Sequence, residues 1–399
     1  MNVFSAIYCR LYQTVLKAFS PFLPYREPKM LKDYDSLIPV LNRHQKRKIF
    51  IITYPSERSF KLMNELLTTL TTYGFEYTIF NGVKPNPTNQ NVEDALEMYH
   101  ANNCDTIIAF GGGSPIDCAK AVAARVACPT KSLNQMKGIL RVNHKLKLLI
   151  AIPTTAGSGS ETTLSAVITD EKADYKYIIN DFDLIPHYTL LDPKLTAGVP
   201  SQLTATSGMD ALCHAVEAYI GKATTRKTRK YSLRAIKLIF ENIENAYQDG
   251  SNLEARRQML RASHLAGKAF TRSYVGYVHA VSHTLGGKYK VPHGVANAVI
   301  LPYMLKMYGK SIYKKLYQIG EFADLFDETM PLEMGAKLVI KKIEELNKAL
   351  NIPTRIKEIK EEDILAMSKK ACKEANPLYP VPKLFSKKQL ANVYYMIKE

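Results

Sequence analysis

Residues Asp105–Asp117, DTIIAFGGGSPID, join a run of apolar β-formers to three consecutive glycines and then to a helix start. Asp105–Phe110 has the composition of a buried strand, and the pattern from Pro115 to about Cys128 is helical. Gly111, Gly112 and Gly113 admit positive φ and let backbone N–H groups approach an anion closely. Ser114 reads as the N-cap, Pro115 as the first helical residue and Asp117 as a capping-box partner. A turn of this kind at a helix N-terminus suits a pyrophosphate. It is neither the GxGxxG fingerprint nor a P-loop, because no Gly-Lys-Ser/Thr follows.

Outward from this turn the alternation repeats. Lys48–Thr53 reads as a strand, Phe60–Tyr73 as a helix, Glu76–Phe80 as a strand, Val92–His100 as a helix and Leu146–Ile152 as another strand. Strands alternating with helices imply a parallel sheet, whose ligands sit beyond the carboxyl ends of the strands. Pro153–Glu161, PTTAGSGSE, follows the strand at Leu146–Ile152 and is rich in hydroxyls and N–H groups, so the two loops together point to one nucleotide site. Ser165–Thr169 and Tyr175–Ile179 form a hairpin around Asp170–Asp174.

After Pro193 the texture becomes helical, with long segments at Gln202–Ile220, Arg229–Ala246, Leu253–Phe270 and Leu332–Leu350. The organisation is an amphipathic leader (1–27), an α/β domain with a parallel sheet (28–195) and an all-α domain (196–399). In the helical part, Asp210 and His214 share a helix face at i and i+4, and His279 and His283 repeat that spacing. His293 lies in Pro-His-Gly, ten residues beyond His283. One carboxylate and two or three imidazoles from separate helices suit a divalent metal, and Asp210, His214, His279 and His293 are the candidate ligands. HAVSH lacks the glutamate of HExxH, which disfavours a metallopeptidase. Glu217, seven residues after Asp210, is an outer partner or, more simply, half of an ion pair. His44, His100, His144, His187 and His264 read as structural. Phe270, Tyr274 and Tyr277 read as core packing before pocket lining. A nucleotide site in one domain and a metal site in the next imply hydride transfer from a nicotinamide, assisted by a Lewis acid.

GGGSPID at 111–117, PTTAGSGSE at 153–161, GMDALCHAVEAY at 208–219 and HAVSHTLGGKYKVPHGVANAVILP at 279–302 resemble, in order, the signatures of the iron-containing (group III) alcohol dehydrogenases. The resemblance covers roughly residues 28–399. It implies an N-terminal dinucleotide-binding domain, a helical metal domain, and a metal held by Asp210, His214, His279 and His293. His283 matches a histidine near the nicotinamide and is the candidate proton relay. Gly113 and Ser114 match the pyrophosphate turn, to which Gly112 and Asp117 also belong. Asn86, Thr154, Thr155, Ser158, Lys176 and Leu195 match positions lining the cofactor cleft. Tyr54 stands where many members carry the aspartate that binds the adenosine ribose, so NAD and NADP both stay open, with Arg58 a nearby cation for a 2′-phosphate. Among metals, Fe²⁺ is favoured over Zn²⁺, with Mn²⁺ and Co²⁺ also compatible. The implied activity is an alcohol dehydrogenase or aldehyde reductase acting on a small alcohol or aldehyde, the enzyme being a homo-oligomer. The alternatives are a relative narrowed to a hydroxy acid or polyol, and a non-catalytic basic binding protein. The intact DALCH and PHG segments argue against a dehydroquinate synthase.

Composition agrees. With 46% hydrophobic and 23% charged residues in 399, wholesale disorder is excluded. Six cysteines without a CxxC pair exclude a thiolate zinc finger and favour a reducing cytoplasm over a secreted disulfide scaffold. The net charge of +17 is densest between Lys222 and Lys237, with no nucleic-acid-binding motif alongside, so these basic residues read as a solvated helix face and no nucleic-acid partner is expected. No apolar run reaches the ~18–20 residues of a membrane span. The leader instead gathers Phe4, Ile7, Tyr8, Leu11, Val15 and Phe19 at helical spacing before Pro21 and Pro24. It reads as a helix packed on the body or on a partner subunit, too poor in basic residues for a stable membrane anchor.

Overall fold

A computed structural model describes residues 3–171 and 175–399. Lys172, Ala173 and Asp174, in the turn expected at Asp170–Asp174, lie outside the described residues. The chain divides into two compact units, Pro24–Gly198 and Met1–Leu23 with Val199–Glu399. The leader is thus part of the helical unit.

In the unit Pro24–Gly198 the strands are β1 (Lys29–Leu31), β2 (Lys48–Ile52), β3 (Glu76–Phe80), β4 (Thr106–Gly111), β5 (Gly138–Ile139), β6 (Leu148–Pro153), β7 (Ser165–Asp170), β8 (Tyr175–Asn180) and β9 (Tyr188–Leu190). The described residues form a parallel sheet in the order β1-β9-β6-β4-β2-β3. The antiparallel hairpin β7–β8, with β5 parallel to β8, makes a smaller sheet. Along the central strands alternate residues enter opposite cores. Ile51, Ile108 and Ile150 pack on one face, and Phe50, Ile107 and Leu149 on the other. Both faces are buried, which is why these strands read as unbroken apolar runs. The three-residue strands β1 and β9 and the two-residue β5 are too short to leave such a run, and the sequence reading passed over them.

The helices, in chain order, begin with α1 (Val3–Phe19), α2 (Leu37–Arg43), α3 (Glu57–Thr72), α4 (Asn89–Ala101), α5 (Gly113–Ala127), α6 (Leu133–Met136) and α7 (Lys194–Ala197). They continue with α8 (Ser201–Ile220), α9 (Arg226–Gln248), α10 (Leu253–Ser273), α11 (Tyr277–Tyr289), α12 (His293–Tyr308), α13 (Tyr313–Phe322), α14 (Leu332–Ala349), α15 (Glu361–Ala375) and α16 (Lys387–Ile397). In the helical unit α8 is the hub, packed on α9, α10 and α12. From Thr204 onward nearly every α8 residue is buried, so Asp210 and His214 are carried into the interior on a helix without a solvent face. The described residues contain no helix long and apolar enough to cross a membrane.

Candidate active site

At the end of the parallel sheet, Gly111 pairs with Pro153, so the two polar loops leave adjacent strands side by side. Thr154 N donates to Gly111 O at 3.0 Å. Gly111 has φ of +153°, and a Cβ there would lie 2.5 Å from Pro115 Cγ, so only glycine fits. A Cβ on Gly112 would come 3.1 Å from Thr155 Oγ1, and one on Gly113 3.1 Å from Ser158 Oγ. Both hydroxyls therefore lie against the glycine turn.

The cap differs from the one expected. Gly112 is the N-cap of α5 and makes no side-chain cap bond, and the helix begins at Gly113. Ser114 and Pro115 are accordingly the second and third helical residues. The physical reason is the third glycine, which enters the helix and moves its start back by two residues. With no capping side chain over them, the first-turn N–H groups stay suited to an anion. Ser114 Oγ accepts from Asn86 N at 3.2 Å, and Lys176 Nζ donates to Asn86 Oδ1 at 2.8 Å, so Asn86, Ser114 and Lys176 form a hydrogen-bonded row.

Asp117 is not a cap either. Its Oδ1 accepts from Ser160 Oγ at 2.5 Å and its Oδ2 from Val167 N at 3.1 Å. Beside it lies Lys120, fully buried, which the sequence reading missed. Its amine donates to Thr163 O and Thr163 Oγ1, both at 2.8 Å, to Ser165 O at 2.8 Å, and to Ser160 Oγ at 3.3 Å. Burial pushes this amine down to about 8 against the pull of Asp117 and Glu161, and the same burial raises the Asp117 carboxyl. Asp117 and Lys120, one helical turn apart, thus pin the end of the second loop to α5. Leu195 is buried in the core with Leu31 and Tyr34, so its side chain is packing. Tyr54 packs on the opposite core, and its phenol is hydrogen-bonded to Ser114. Arg58 donates to Gly198 O.

In the helical unit, α8, α11 and α12 bring Asp210, His279 and His293 together, with one donor atom of each within 4.8 Å of the others. His293 Nε2 is 3.6 Å and His279 Nε2 4.0 Å from Asp210 Oδ1. His214 is one ring away, stacked between Phe270 at 4.1 Å and His279 at 4.5 Å. Behind His279 sits Glu217, and here the ion-pair reading is overturned. Glu217 Oε1 accepts from Val278 N and Oε2 from Gly276 N, each at 2.8 Å, and Oε2 is 2.6 Å from His279 Nδ1. Its partners are main-chain amides and an imidazole, because a fully buried carboxylate at the start of α11 meets N–H groups there. Burial raises Glu217 to about 7, against those hydrogen bonds. Burial, with the neighbouring His214, His293 and His283, holds His279 well below the usual histidine range. A neutral ring donating from Nδ1 presents its Nε2 lone pair to the cluster.

Asn297 was also missed, although it lies one turn after His293. Its Nδ2 donates to Asp210 Oδ1 at 2.6 Å and lies 3.2 Å from His279 Nε2 and 3.1 Å from His293 Nε2. Its buried Oδ1 has no hydrogen-bond partner. Three Lewis-basic atoms thus converge on one positively polarised group, an arrangement that a small divalent cation satisfies better than a single amide does. The donor set fits a metal.

His283 points to another partner: its Nδ1 is 2.7 Å from Glu374 Oε1, which also accepts from Tyr379 O–H at 2.9 Å. Its ring stacks on His293 with centroids 5.3 Å apart. Glu374 lies 91 positions from His283, and no local spacing announces it. Tyr277 is core, as read, its hydroxyl held between Asn376 and Phe385. Among the described residues, His44, His100, His144, His187 and His264 contribute to no metal-like cluster.

The family model "Iron-containing alcohol dehydrogenase" matches residues 32–193, and "Fe-containing alcohol dehydrogenase family, C-terminal" matches 204–397. The chain is 38% identical over 352 residues to a 1,3-propanediol dehydrogenase of Citrobacter freundii, covering 87% of this chain and 90% of that one. It is 35% identical over 326 residues to an NADPH-dependent butanol dehydrogenase of Clostridium saccharobutylicum, covering 81% and 83%. Among solved structures, a 1,3-propanediol oxidoreductase superposes with a TM-score of 0.88 at 34% identity, covering 93% of this chain and 98% of that one.

Proposed function

Because the chain belongs to the iron-containing alcohol dehydrogenase family, and so is an NAD(P)-dependent oxidoreductase acting on the CH–OH group of small alcohols, we propose that Asp210, His214, His279 and His293 hold one divalent cation, Fe²⁺ in preference to Zn²⁺. The observation that carries this reading is the convergence of Asp210, His279 and His293 on the Asn297 amide, with Glu217 fixing the tautomer of His279. When bound, the cation polarises the substrate oxygen as a Lewis acid. A bound nicotinamide would supply or accept the hydride.

The chain's own residues have separable tasks. Glu217 keeps the Nδ1 proton of His279 engaged and its Nε2 available. Glu374 holds His283 through Nδ1, leaving Nε2 to take up or release the alcohol proton. The N–H groups of Gly112 and Gly113, with the hydroxyls of Ser114, Thr155 and Ser158, cradle the pyrophosphate. Asn86, Lys176 and Thr154 serve the rest of the dinucleotide. Asp117 acts indirectly, by holding Ser160, and Leu195 contributes through its main chain.

Short primary alcohols and diols are the proposed substrates, in keeping with the relatives' names. Both NAD and NADP are proposed to serve. Tyr54 brings no carboxylate to repel a 2′-phosphate, and Arg58, engaged with Gly198 O, is not a dedicated cation for one. The protein is proposed to be a cytoplasmic homo-oligomer. An anaerobic assay on protein stripped of metal and reloaded with Fe²⁺ or Zn²⁺ tests the reading, with short aldehydes and diols and with each cofactor in turn. Metal-dependent turnover with both cofactors is expected. Full turnover by rigorously metal-free protein would sink the assignment of the four ligands.

A further inference from the structure

Helix α1 meets the rest of its unit with the wrong side for an ordinary surface helix. Arg10 donates to Val381 O at 2.7 Å and to Pro382 O at 3.0 Å, and also to Gln13 Oε1 at 2.8 Å. Gln13 Nε2 donates to Tyr379 O at 2.7 Å and Pro377 O at 3.2 Å. The buried residues of α1 are Cys9 and Gln13. Polar groups thus dock the helix onto the carbonyls of loop 377–382. The apolar stripe faces outward: Phe4, Ile7, Tyr8, Leu11, Val15 and Phe19 are each between 46% and 84% exposed. Beyond the helix, Phe22 continues the stripe at 84%. A contiguous apolar face of this extent marks an interaction surface.

Charge selects the occupant. The stripe carries no acidic residue, and the first in the chain is Glu27. Basic residues gather around the docked end of the helix. Lys222 N donates to Pro380 O at 2.6 Å, next to the Arg10 acceptors, and Lys315 Nζ donates to Gly221 O at 2.9 Å. Lys315 lies close enough to Arg229, Lys17 and Lys222 for their charges to lower its pKa, after the effect of burial. A second copy meeting this patch across a two-fold axis would set this basic rim against itself. An anionic lipid surface complements both parts, the acyl boundary taking the stripe and the headgroups the exposed Lys17, Lys222 and Arg229.

We infer that the outward face of α1 is a reversible docking surface for an anionic phospholipid membrane, with the helix lying in the plane of the interface. One short helix gives peripheral contact without spanning or permanent anchoring. Sedimentation of the full chain with vesicles tests this, using phosphatidylcholine alone or with about a third phosphatidylserine. The wild-type chain is expected to sediment with the anionic vesicles, roughly tenfold less with neutral ones, and to be released by salt. The triple substitution Phe4→Glu, Leu11→Glu and Phe19→Glu is expected to lower partitioning about tenfold or more while leaving dehydrogenase turnover unchanged. Should that variant fold poorly, Lys17→Glu alone is expected to weaken anionic binding about threefold or more. Absence of sedimentation at low salt, equal binding to neutral vesicles, or variants that bind as well as wild type would each overturn the inference. So would a triple variant of lower oligomeric mass in light scattering alongside a wild-type chain indifferent to vesicles, which would assign the face to a second copy.

Discussion

Around the glycine turn, the groups suited to a ligand are main-chain amides and hydroxyls that two loops supply from adjacent strand ends. Around Asp210, they are side chains contributed by three separate helices. The first arrangement gets its precision from strand register, since Gly111 and Pro153 are paired in the sheet. The second gets it from buried side chains behind the candidate ligands, Glu217 on His279 and Ser282 at 3.2 Å from His293 Nδ1. A site made of backbone is fixed once the fold forms. A site made of side chains needs a further shell of partners to hold each rotamer and tautomer.

Four substitutions probe that contrast. The largest effect is expected from His279→Ala, which removes a central donor: turnover should fall by about 10³-fold or more with loss of bound metal. Binding of reduced nicotinamide, followed by its fluorescence, should persist if the two half-sites are independent. Next is Lys120→Met, which strands Asp117 and the carbonyls of Thr163 and Ser165, and should cost about 3 kcal/mol in denaturant unfolding. It carries a pH signature. The folded-state amine is near 8, below the ordinary lysine value of 10.5, so between these values the unfolded chain binds more protons. Wild-type stability should therefore gain on the variant as pH rises through that window, by up to about 1.4 kcal/mol per unit. A difference that stays flat with pH would mean that the folded amine keeps its proton up to the ordinary lysine range.

Glu217→Gln should weaken metal affinity by roughly 10–100-fold in competition with a chelator, leaving cofactor affinity alone. Smallest is Tyr54→Asp, which should lower kcat/KM with NADPH about tenfold relative to NADH, by repulsion of the 2′-phosphate, without touching metal content. An unchanged cofactor ratio would show that the residue does not face the adenosine ribose.

The same contrast explains what could be read in the chain beforehand. The parallel sheet and the glycine turn are local in sequence: apolar runs such as KIFII and TIIAF, each ended by turn chemistry, need no knowledge of distant residues. The candidate ligands were visible because helical spacing pairs Asp210 with His214 and His279 with His283, and Pro-His-Gly marks His293. Their supports were harder. Asn297 had a faint signal, four residues after His293, whereas Glu374 approaches His283 only through tertiary packing. Lys120 was illegible because nothing in CAKAVAA says that a lysine there is buried. The cap was misread for a simpler reason: serine is the better N-cap in isolation, but three glycines allow the helix to start earlier.

Gly276 shows how a position can matter through an atom it lacks. A Cβ at that residue would stand 2.5 Å from Glu217 Oε1, in the space the carboxylate needs to reach the amides of residues 276 and 278. In a saturation scan selected for turnover, the column for 276 should look like that of a metal ligand, with even alanine rejected. The small volume left open there belongs functionally to Glu217.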